Sequence, residues 1–130
     1  GRFAALRIDR AMADAAVALG PNVLIVAALE STLDPTTRLI AESAAAAGTD
    51  TRIRLCFVSG AWAHLLAGDR ARYVDAIVQA VIEHADEADA IVLAQASMAQ
   101  AVQPLAERGI AVLASPELGV QAALNRLARR

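Results

Sequence analysis

The residues best placed for chemistry follow a short apolar run near position 90, in the stretch "ADAIVLAQASMAQ" (residues 88–100). Residues 91–93 are typical of a buried strand, and a turn of small and polar residues, 94–97, leads from it into a helix. Such turns at the carboxyl end of a buried strand are where open α/β sheets build their sites. This turn holds no thiol, imidazole or carboxylate. It is either an active-site loop whose reactive residue is missing or a plain connection.

A second loop of the same kind is "ALEST", residues 28–32, which follows the continuous apolar run "NVLIVAAL". A helix is predicted directly behind it, over residues 33–48. Asp34 is the expected N-cap, Pro35 occupies the first helical position and Gly48 ends the helix. The free backbone N–H groups of its first turn suit a carboxylate or a phosphate.

For most of the remaining reactive side chains, a packing or solvent-exposed role is favoured over a catalytic or metal-binding one. Cys56 is predicted in mid-strand, where a small packing residue is favoured over a nucleophile. His64 and His84 lie in or near helices without a second ligand at metal spacing, so we expect no metal site. Glu30 contacts a ligand or is solvated, and Trp62 covers the crevice or packs on a partner; the sequence decides neither. The acidic turn of Asp86, Glu87 and Asp89 is expected to be a solvated loop.

These loops must be positioned by alternating strands and helices. A segment that alternates in this way predicts a parallel sheet with right-handed crossovers. The segment 59–68 is a short helix or a loop. The predicted strands are 22–29, 51–58, 89–95 and 110–115; the predicted helices run from Asp9 to Leu19, over 33–48, from Asp69 through Ile82, from Met98 to Arg108 with an interruption at Pro104, and onward from Pro116.

The strand patterns predict the order of the sheet. Residues 51–58 alternate, with Ile53, Leu55 and Phe57 on one face and charged or small residues on the other, which is typical of an edge strand. The continuous runs belong in the centre. We therefore predict an α/β fold with a four-stranded parallel sheet in the flavodoxin-like order 2-1-3-4 and helices on both faces. The topological switch point lies between strands 1 and 3, so the two loops are expected to meet there.

Composition excludes several classes of function. The chain has 130 residues, one domain's worth, of which 57% are hydrophobic, and its net charge is −2. Its 12 basic residues are scattered arginines, which argues against a nucleic-acid partner. A phosphoacceptor receiver domain would need a lysine, and the chain has none. We find no apolar run of roughly 20 residues and no signal peptide. A single cysteine excludes an internal disulfide and fits a reducing compartment, so we expect a cytoplasmic protein that does not engage membranes.

Four stretches resemble the second part of the aspartate/glutamate/hydantoin racemases: "LRIDRAMADAAVALG", "VLIVAALESTLDPTTRLI", "DAIVLAQASMA" and "VLASPELGVQAAL". The resemblance covers nearly all of this chain, whereas the chain covers somewhat more than half of a typical family member. It implies that residues 1–130 form one α/β lobe of a two-lobed enzyme that uses no cofactor. In that family one thiolate removes the α-proton of a small carboxylate, and a thiol of the other lobe delivers a proton to the opposite face.

The resemblance also assigns candidate site residues position by position. Gln95 stands where the family has its second catalytic cysteine, and a carboxamide has no proton to exchange near neutral pH. Ala96 replaces a neighbour that often carries a hydroxyl. Residues 32–36 match the family's "T-L-x-P-T" stretch, which frames the site. No residue is a certain catalytic group. The substrate contacts that the resemblance implies are Ser31, Thr32, Thr36, Gln95, Ala96, Ser97 and Ser115.

Two hypotheses follow. The first is a racemase-type enzyme of which this chain is the C-terminal portion, inactive alone. The second is a non-catalytic small-carboxylate-binding or interaction domain on the same fold. Because half of a two-lobed enzyme exposes the face its other lobe would cover, we expect a homo-oligomer or a missing N-terminal lobe.

Overall fold

The structure, a computed structural model, describes residues 10–114. Within this range the chain is α/β, with helices on both faces of a three-stranded parallel sheet in the order β2-β1-β3. Short 3₁₀ helices at Glu30–Thr32 and Ala96–Ala101 follow the first and third strands. The elements are α1 (Arg10–Leu19), β1 (Asn22–Ala27), α2 (Leu33–Ala47), β2 (Arg52–Phe57), α3 (Ala61–Leu66), α4 (Arg70–His84), β3 (Ala90–Leu93) and α5 (Val102–Glu107).

The central position predicted for the first strand is confirmed. β1 pairs in parallel with both β2 and β3, and its side chains are buried from Val23 onward. Leu24 and Val26 pack against α4, whereas Val23 and Ile25 pack against α1 and α2. This burial on both faces is why the strand reads as a continuous apolar run rather than as an alternating one.

The predicted fourth strand, 110–115, is not present as a strand among the described residues. What the structure describes there is one parallel bridge between Leu113 and Val92. The backbone N–H of Leu93 donates to the carbonyl of Leu113, and Leu113 donates to the carbonyl of Ile91, both at 2.8 Å. The order 2-1-3 therefore stands, with a short contact on the far side of β3.

Within residues 10–114 β2 is an edge strand, as predicted, but its apolar face is the more exposed one. Leu55 is 52% exposed and Phe57 is 44% exposed, whereas Cys56 is buried against α4. On the face that carries Leu55, the helices α1 and α2 pack over β1 and β3, and of β2 only Ile53 packs against that cluster. The alternation is thus real, but the helices leave the outer end of that face uncovered.

Two helix boundaries differ from the prediction. α2 begins at Leu33 with Thr32 in the N-cap position, so Asp34 lies in the first turn and is not the cap. The 3₁₀ helix before α2 already turns the chain, so α2 begins earlier in the sequence than a cap at Asp34 would allow. Gly48 does end α2, in the left-handed conformation with a φ of 70°.

The predicted helix from Met98 to Arg108 is two elements, a 3₁₀ helix followed by α5. Pro104 is the third residue of α5, where a backbone N–H would lack a helical partner in any case, so it starts a helix rather than kinking one.

The predicted cap of α4 is confirmed, because Asp69 accepts a hydrogen bond from the backbone N–H of Arg72. Asp9 and the predicted helix after Pro116 lie outside the described residues. None of the helices within 10–114 is long and apolar enough to cross a membrane.

Candidate functional site

The candidate site lies at the carboxyl edge of the sheet, where the loops after β1 and β3 lie side by side. The backbone N–H of Ala94 donates to the carbonyl of Val26 at 2.9 Å, so the pairing of the two strands continues into the loop. Beyond it, Gln95 reaches across to the neighbouring loop. Its Oε1 accepts hydrogen bonds from the backbone N–H groups of Ala28 and Leu29, at 2.7 and 2.8 Å. The two loops meet, as a switch point between β1 and β3 requires.

Gln95 is a buried polar residue, 6% exposed. Its oxygen satisfies two backbone donors at the end of β1 that would otherwise lack this partner, and each buried donor left unsatisfied costs about 1–3 kcal/mol. The side chain therefore holds the crevice loops together. A carboxamide neither takes nor releases a proton near neutral pH, so this residue offers hydrogen bonding and no acid–base chemistry.

The loop after β1 presents Glu30, Ser31 and Thr32. Glu30 and Ser31 are exposed, and Thr32 is half-buried. The hydroxyl of Thr32 donates to the carbonyl of Leu29 at 2.8 Å, and its backbone N–H donates to the same oxygen at 3.1 Å. The hydroxyl hydrogen of Thr32 is thus used within the loop, which leaves its oxygen free only to accept.

The first turns of α2 carry two buried hydroxyls. Thr36 is 1% exposed, and the Oγ1 atoms of Thr36 and Thr37 have no hydrogen-bond partner within the described part of the chain. Helical side chains lean toward the N-terminus of their helix, so the Thr36 hydroxyl leans toward the edge that holds the loop after β1. A buried hydroxyl without a partner costs free energy, and it is a donor that a ligand oxygen would satisfy.

The loop after β3 is anchored from α4. The hydroxyl oxygens of Tyr73 and Ser97 lie 2.7 Å apart, and Ala96 beside them is half-buried. Burial raises the pKa of Tyr73, while the Ser97 hydrogen bond opposes that shift, so the phenol stays protonated. Trp62 packs edge-on against Tyr73, with ring centroids 6.5 Å apart. The indole of Trp62 therefore supports this anchor.

The thiol of Cys56 lies on the face of β2 that α4 covers, and the register pairs Cys56 with Val26, two residues before the loop 28–32. Its Sγ is 3.7 Å from Nδ1 of His84, and that nitrogen is 2.8 Å from the carbonyl oxygen of Ala80. Because a carbonyl only accepts, Nδ1 carries the hydrogen and cannot take a proton from the thiol. Burial, followed by the negative charge of Glu83, raises the pKa of Cys56. The pair is a buried thiol beside a helix end, without the geometry of a nucleophile and its base.

The acidic turn is exposed, as predicted, at Asp86, Glu87 and Asp89. Asp89 also accepts hydrogen bonds from Asn22, from its backbone N–H at 2.9 Å and its side-chain Nδ2 at 3.1 Å. Asp89 therefore ties the starts of β1 and β3 together, which the sequence did not predict. Arg54 on β2 donates to the backbone carbonyls of His84 and Asp86, so it links β2 to the end of α4 and to the acidic turn.

No group of three or more His, Cys, Asp or Glu side chains in residues 10–114 is arranged to hold a metal ion. His64 is half-buried on α3. The sequence reasoning missed Tyr73, although it lies four residues before Ile77 on the buried face of α4, and that spacing is the signal that points to it. Ser115, the last of the expected contacts, lies outside the described residues.

The structure thus joins the loop that carries Gln95 and Ser97 to the loop after β1, which leads into α2 and its two threonines, and it places Cys56 beside His84. The comparisons add no further resemblance. Comparison of the chain with models of known protein families, with curated proteins and with solved structures finds no match.

Proposed function

We propose that this chain is one lobe of a cofactor-independent isomerase of the aspartate/glutamate/hydantoin racemase type. It binds a small carboxylate in the crevice between loops 28–32 and 94–97, where a proton is exchanged at the α-carbon. The observation that carries the proposal is the placement of Gln95. Its side chain joins the two loops at the switch point, in the position where the racemases that the sequence resembles have a cysteine.

The part of the proposal that concerns binding rests on uncharged hydrogen-bond donors. The hydroxyls of Thr36 and Thr37 have no partner among the described residues, and they lie in the first turns of a 15-residue helix. A helix N-terminus favours an anion through its dipole. In α2 the N–H of Leu33 already donates to the carbonyl of Glu30 and Pro35 has no N–H, so the dipole and the threonine hydroxyls carry this argument. Ser97 supplies a further hydroxyl from the opposite loop. Neutral donors and a helix N-terminus together suit a carboxylate.

The chemical half requires a group from elsewhere. Gln95 cannot carry a proton, and the buried Cys56 has a raised pKa and lies beside His84. The proton acceptor is therefore a thiolate of another lobe, the N-terminal lobe that the resemblance implies, because a second copy would bring only another buried Cys56. That thiolate takes the proton from one face of the α-carbon, the electron pair moves toward the carboxylate, and a water molecule delivers a proton to the opposite face. The thiol then gives its proton to the hydroxide left by that water, which regenerates the thiolate. This chain alone is inactive.

The proposal includes the finer points of the predicted fold and setting. A fourth strand over 110–115 lies beside β3 in the order 2-1-3-4, supported by the parallel bridge between Val92 and Leu113. The protein works in the cytoplasm, which the single free cysteine supports. It acts on small molecules without nucleic acid or membrane.

One observation favours a second candidate, a non-catalytic small-carboxylate-binding or interaction domain on the same fold. The oxygen of Gln95 already occupies two backbone donors of the crevice, those of Ala28 and Leu29. A domain that binds a ligand without converting it would also have a crevice whose loops are hydrogen-bonded to each other and which contains no thiol.

Solvent deuterium incorporation at the α-carbon, followed by NMR, separates the two candidates. The panel is D- and L-aspartate, D- and L-glutamate, hydantoins and aryl-substituted malonates, tested on this chain and on the full gene product in parallel. Exchange by the full product and not by this chain is the expected result. Absence of exchange with both proteins, together with binding of a panel member, would move the function to the non-catalytic domain.

A further inference from the structure

The orientation of the Gln95 carboxamide is fixed by its neighbours. Backbone N–H groups can only donate, so the atom that meets Ala28 and Leu29 must be the amide oxygen. Turning the amide over would set its NH₂ group against two donors and break one buried and one part-buried hydrogen bond. Because Gln95 is only 6% exposed, water cannot compensate for that loss.

A fixed amide has a fixed polarity. Its oxygen is used by the loop after β1, and the group that remains available is the NH₂, which carries two hydrogens and accepts nothing. We propose that Gln95 determines ligand specificity in the crevice by presenting only donors, so that a ligand carboxylate or carbonyl oxygen is accepted there and an ammonium group is refused. This inference rests on the proposed function, because it concerns the ligand of that same crevice.

The neighbouring groups reinforce this selection. The hydroxyls of Thr36 and Thr37, in the helix that follows the loop after β1, are unpartnered among the described residues and are further uncharged donors. The hydroxyl hydrogen of Thr32 is directed to the carbonyl of Leu29, so it is not offered to a ligand. A carboxylate oxygen would satisfy the NH₂ of Gln95, whereas an ammonium group would place its hydrogens against those of the NH₂.

Gln95→Glu is the variant that separates the two halves of the amide. A glutamate keeps an oxygen for the N–H groups of Ala28 and Leu29, and hydrogen bonds from such donors stabilise a carboxylate. It replaces the NH₂ by a second oxygen, so it removes the donors and adds like charge. Gln95→Met, of similar length, removes both halves and serves as the second variant.

The test is a titration of ¹⁵N-labelled chain with sodium malonate, L-aspartate and L-glutamate, with ethylenediamine as the cationic control. We expect the side-chain NH₂ resonances of Gln95 to move with at least one of the carboxylates and not with ethylenediamine. We expect Gln95→Glu to weaken that binding at least tenfold while its thermal unfolding stays close to that of the wild type. The NH₂ resonances are read on the wild-type chain, so they test the inference even if a variant fails to fold.

The outcomes separate this inference from the proposed function. If a carboxylate shifts the amides of the crevice but leaves the Gln95 NH₂ unmoved, or binds Gln95→Glu within twofold of the wild type, the specificity role is wrong and the carboxylate site stands. Tighter binding of ethylenediamine than of any carboxylate would also overturn the specificity role. If none of the three carboxylates binds, both the specificity role and the carboxylate site are overturned.

Discussion

The hydroxyl oxygens of Tyr73 and Ser97 lie 2.7 Å apart, one on the buried face of α4 and the other in the loop after β3. This hydrogen bond fixes a crevice loop to a helix on one face of the sheet, while Gln95 fixes the same loop to the end of β1. The loop is thus held from two directions, which explains how a segment without a regular α-helical turn keeps a defined shape.

Removing the phenol hydroxyl isolates the first of these attachments. Tyr73→Phe keeps the ring and its contact with Trp62, so we expect a loss of only about 1 kcal/mol in the free energy of unfolding. Ser97→Ala should cost about the same, and the double variant little more than either, since both remove one hydrogen bond. Urea unfolding of the three variants measures the coupling. A coupling energy near zero would contradict the role assigned to this pair.

Removing the Gln95 amide should cost more. Gln95→Met leaves the buried N–H groups of Ala28 and Leu29 without their acceptor, and we expect a loss of about 2–4 kcal/mol in the free energy of unfolding. Gln79→Met, on the exposed face of α4, is the matched control and should change stability by less than about 0.5 kcal/mol. Equal losses for the two variants would show that Gln95 does not secure the crevice.

The raised pKa of Cys56 predicts a loss of stability in alkali. The unfolded chain releases the thiol proton near the ordinary pKa of about 8.5, before the folded chain does, so the free energy of unfolding should fall as the pH rises from there through the raised folded value. Urea unfolding at about pH 8 and about pH 10 tests this in the wild type and in Cys56→Ala, which should lose less between the two. Tyr73, whose pKa is also raised, adds a loss at still higher pH, which Tyr73→Phe removes. A wild type whose stability rises over this range would contradict the prediction.

Much of the fold could be predicted because its signals are local. The continuous apolar run of β1 gave its central position, and the cap at Asp69 gave the start of α4. The burial of β2 could not be predicted in this way. Alternation shows that Leu55 and Cys56 face opposite sides, but which side is covered depends on where α1 and α2 pack.

The position of the candidate site could be predicted from the sequence, but the hydrogen-bond partners of its residues could not. Strand order alone brings the loops after β1 and β3 together. The partners of Gln95 and Asp89 lie 67 or 66 residues away along the chain, and no spacing in the sequence marks them. Pairings of this kind depend on the register between β1 and β3, which exists only once the sheet has formed.

Gly20 provides a test of the link at the opposite edge of the sheet. It has a φ of 153°, and a Cβ built there would lie 2.5 Å from the Cβ and Cγ of Asp89. Gly20→Ala should therefore displace Asp89 from its hydrogen bonds to Asn22 and destabilise the chain by well over the roughly 1 kcal/mol expected from backbone conformation alone. Gly68→Ala is the control, since Gly68 has a φ of 79° and nothing lies within 4 Å of its added Cβ. Thermal unfolding of both variants gives the comparison, and similar shifts in midpoint would count against the clash.

The uncovered end of β2 predicts self-association. Leu55 and Phe57 expose apolar side chains on a strand at the edge of the described sheet, where backbone groups are available to another chain. We expect the average mass in sedimentation equilibrium to rise with concentration, and Leu55→Glu to suppress that rise. Leu66→Glu is the matched control, because Leu66 is 74% exposed but lies on the helix α3 and not on a strand.

The two leucine variants add the same charge, so a difference between them reports the location of the contact and not the change in net charge. If association depends on β2, Leu55→Glu acts and Leu66→Glu does not. Equal suppression by both would show non-specific apolar contact instead. A wild-type chain that stays monomeric at high concentration would contradict the prediction.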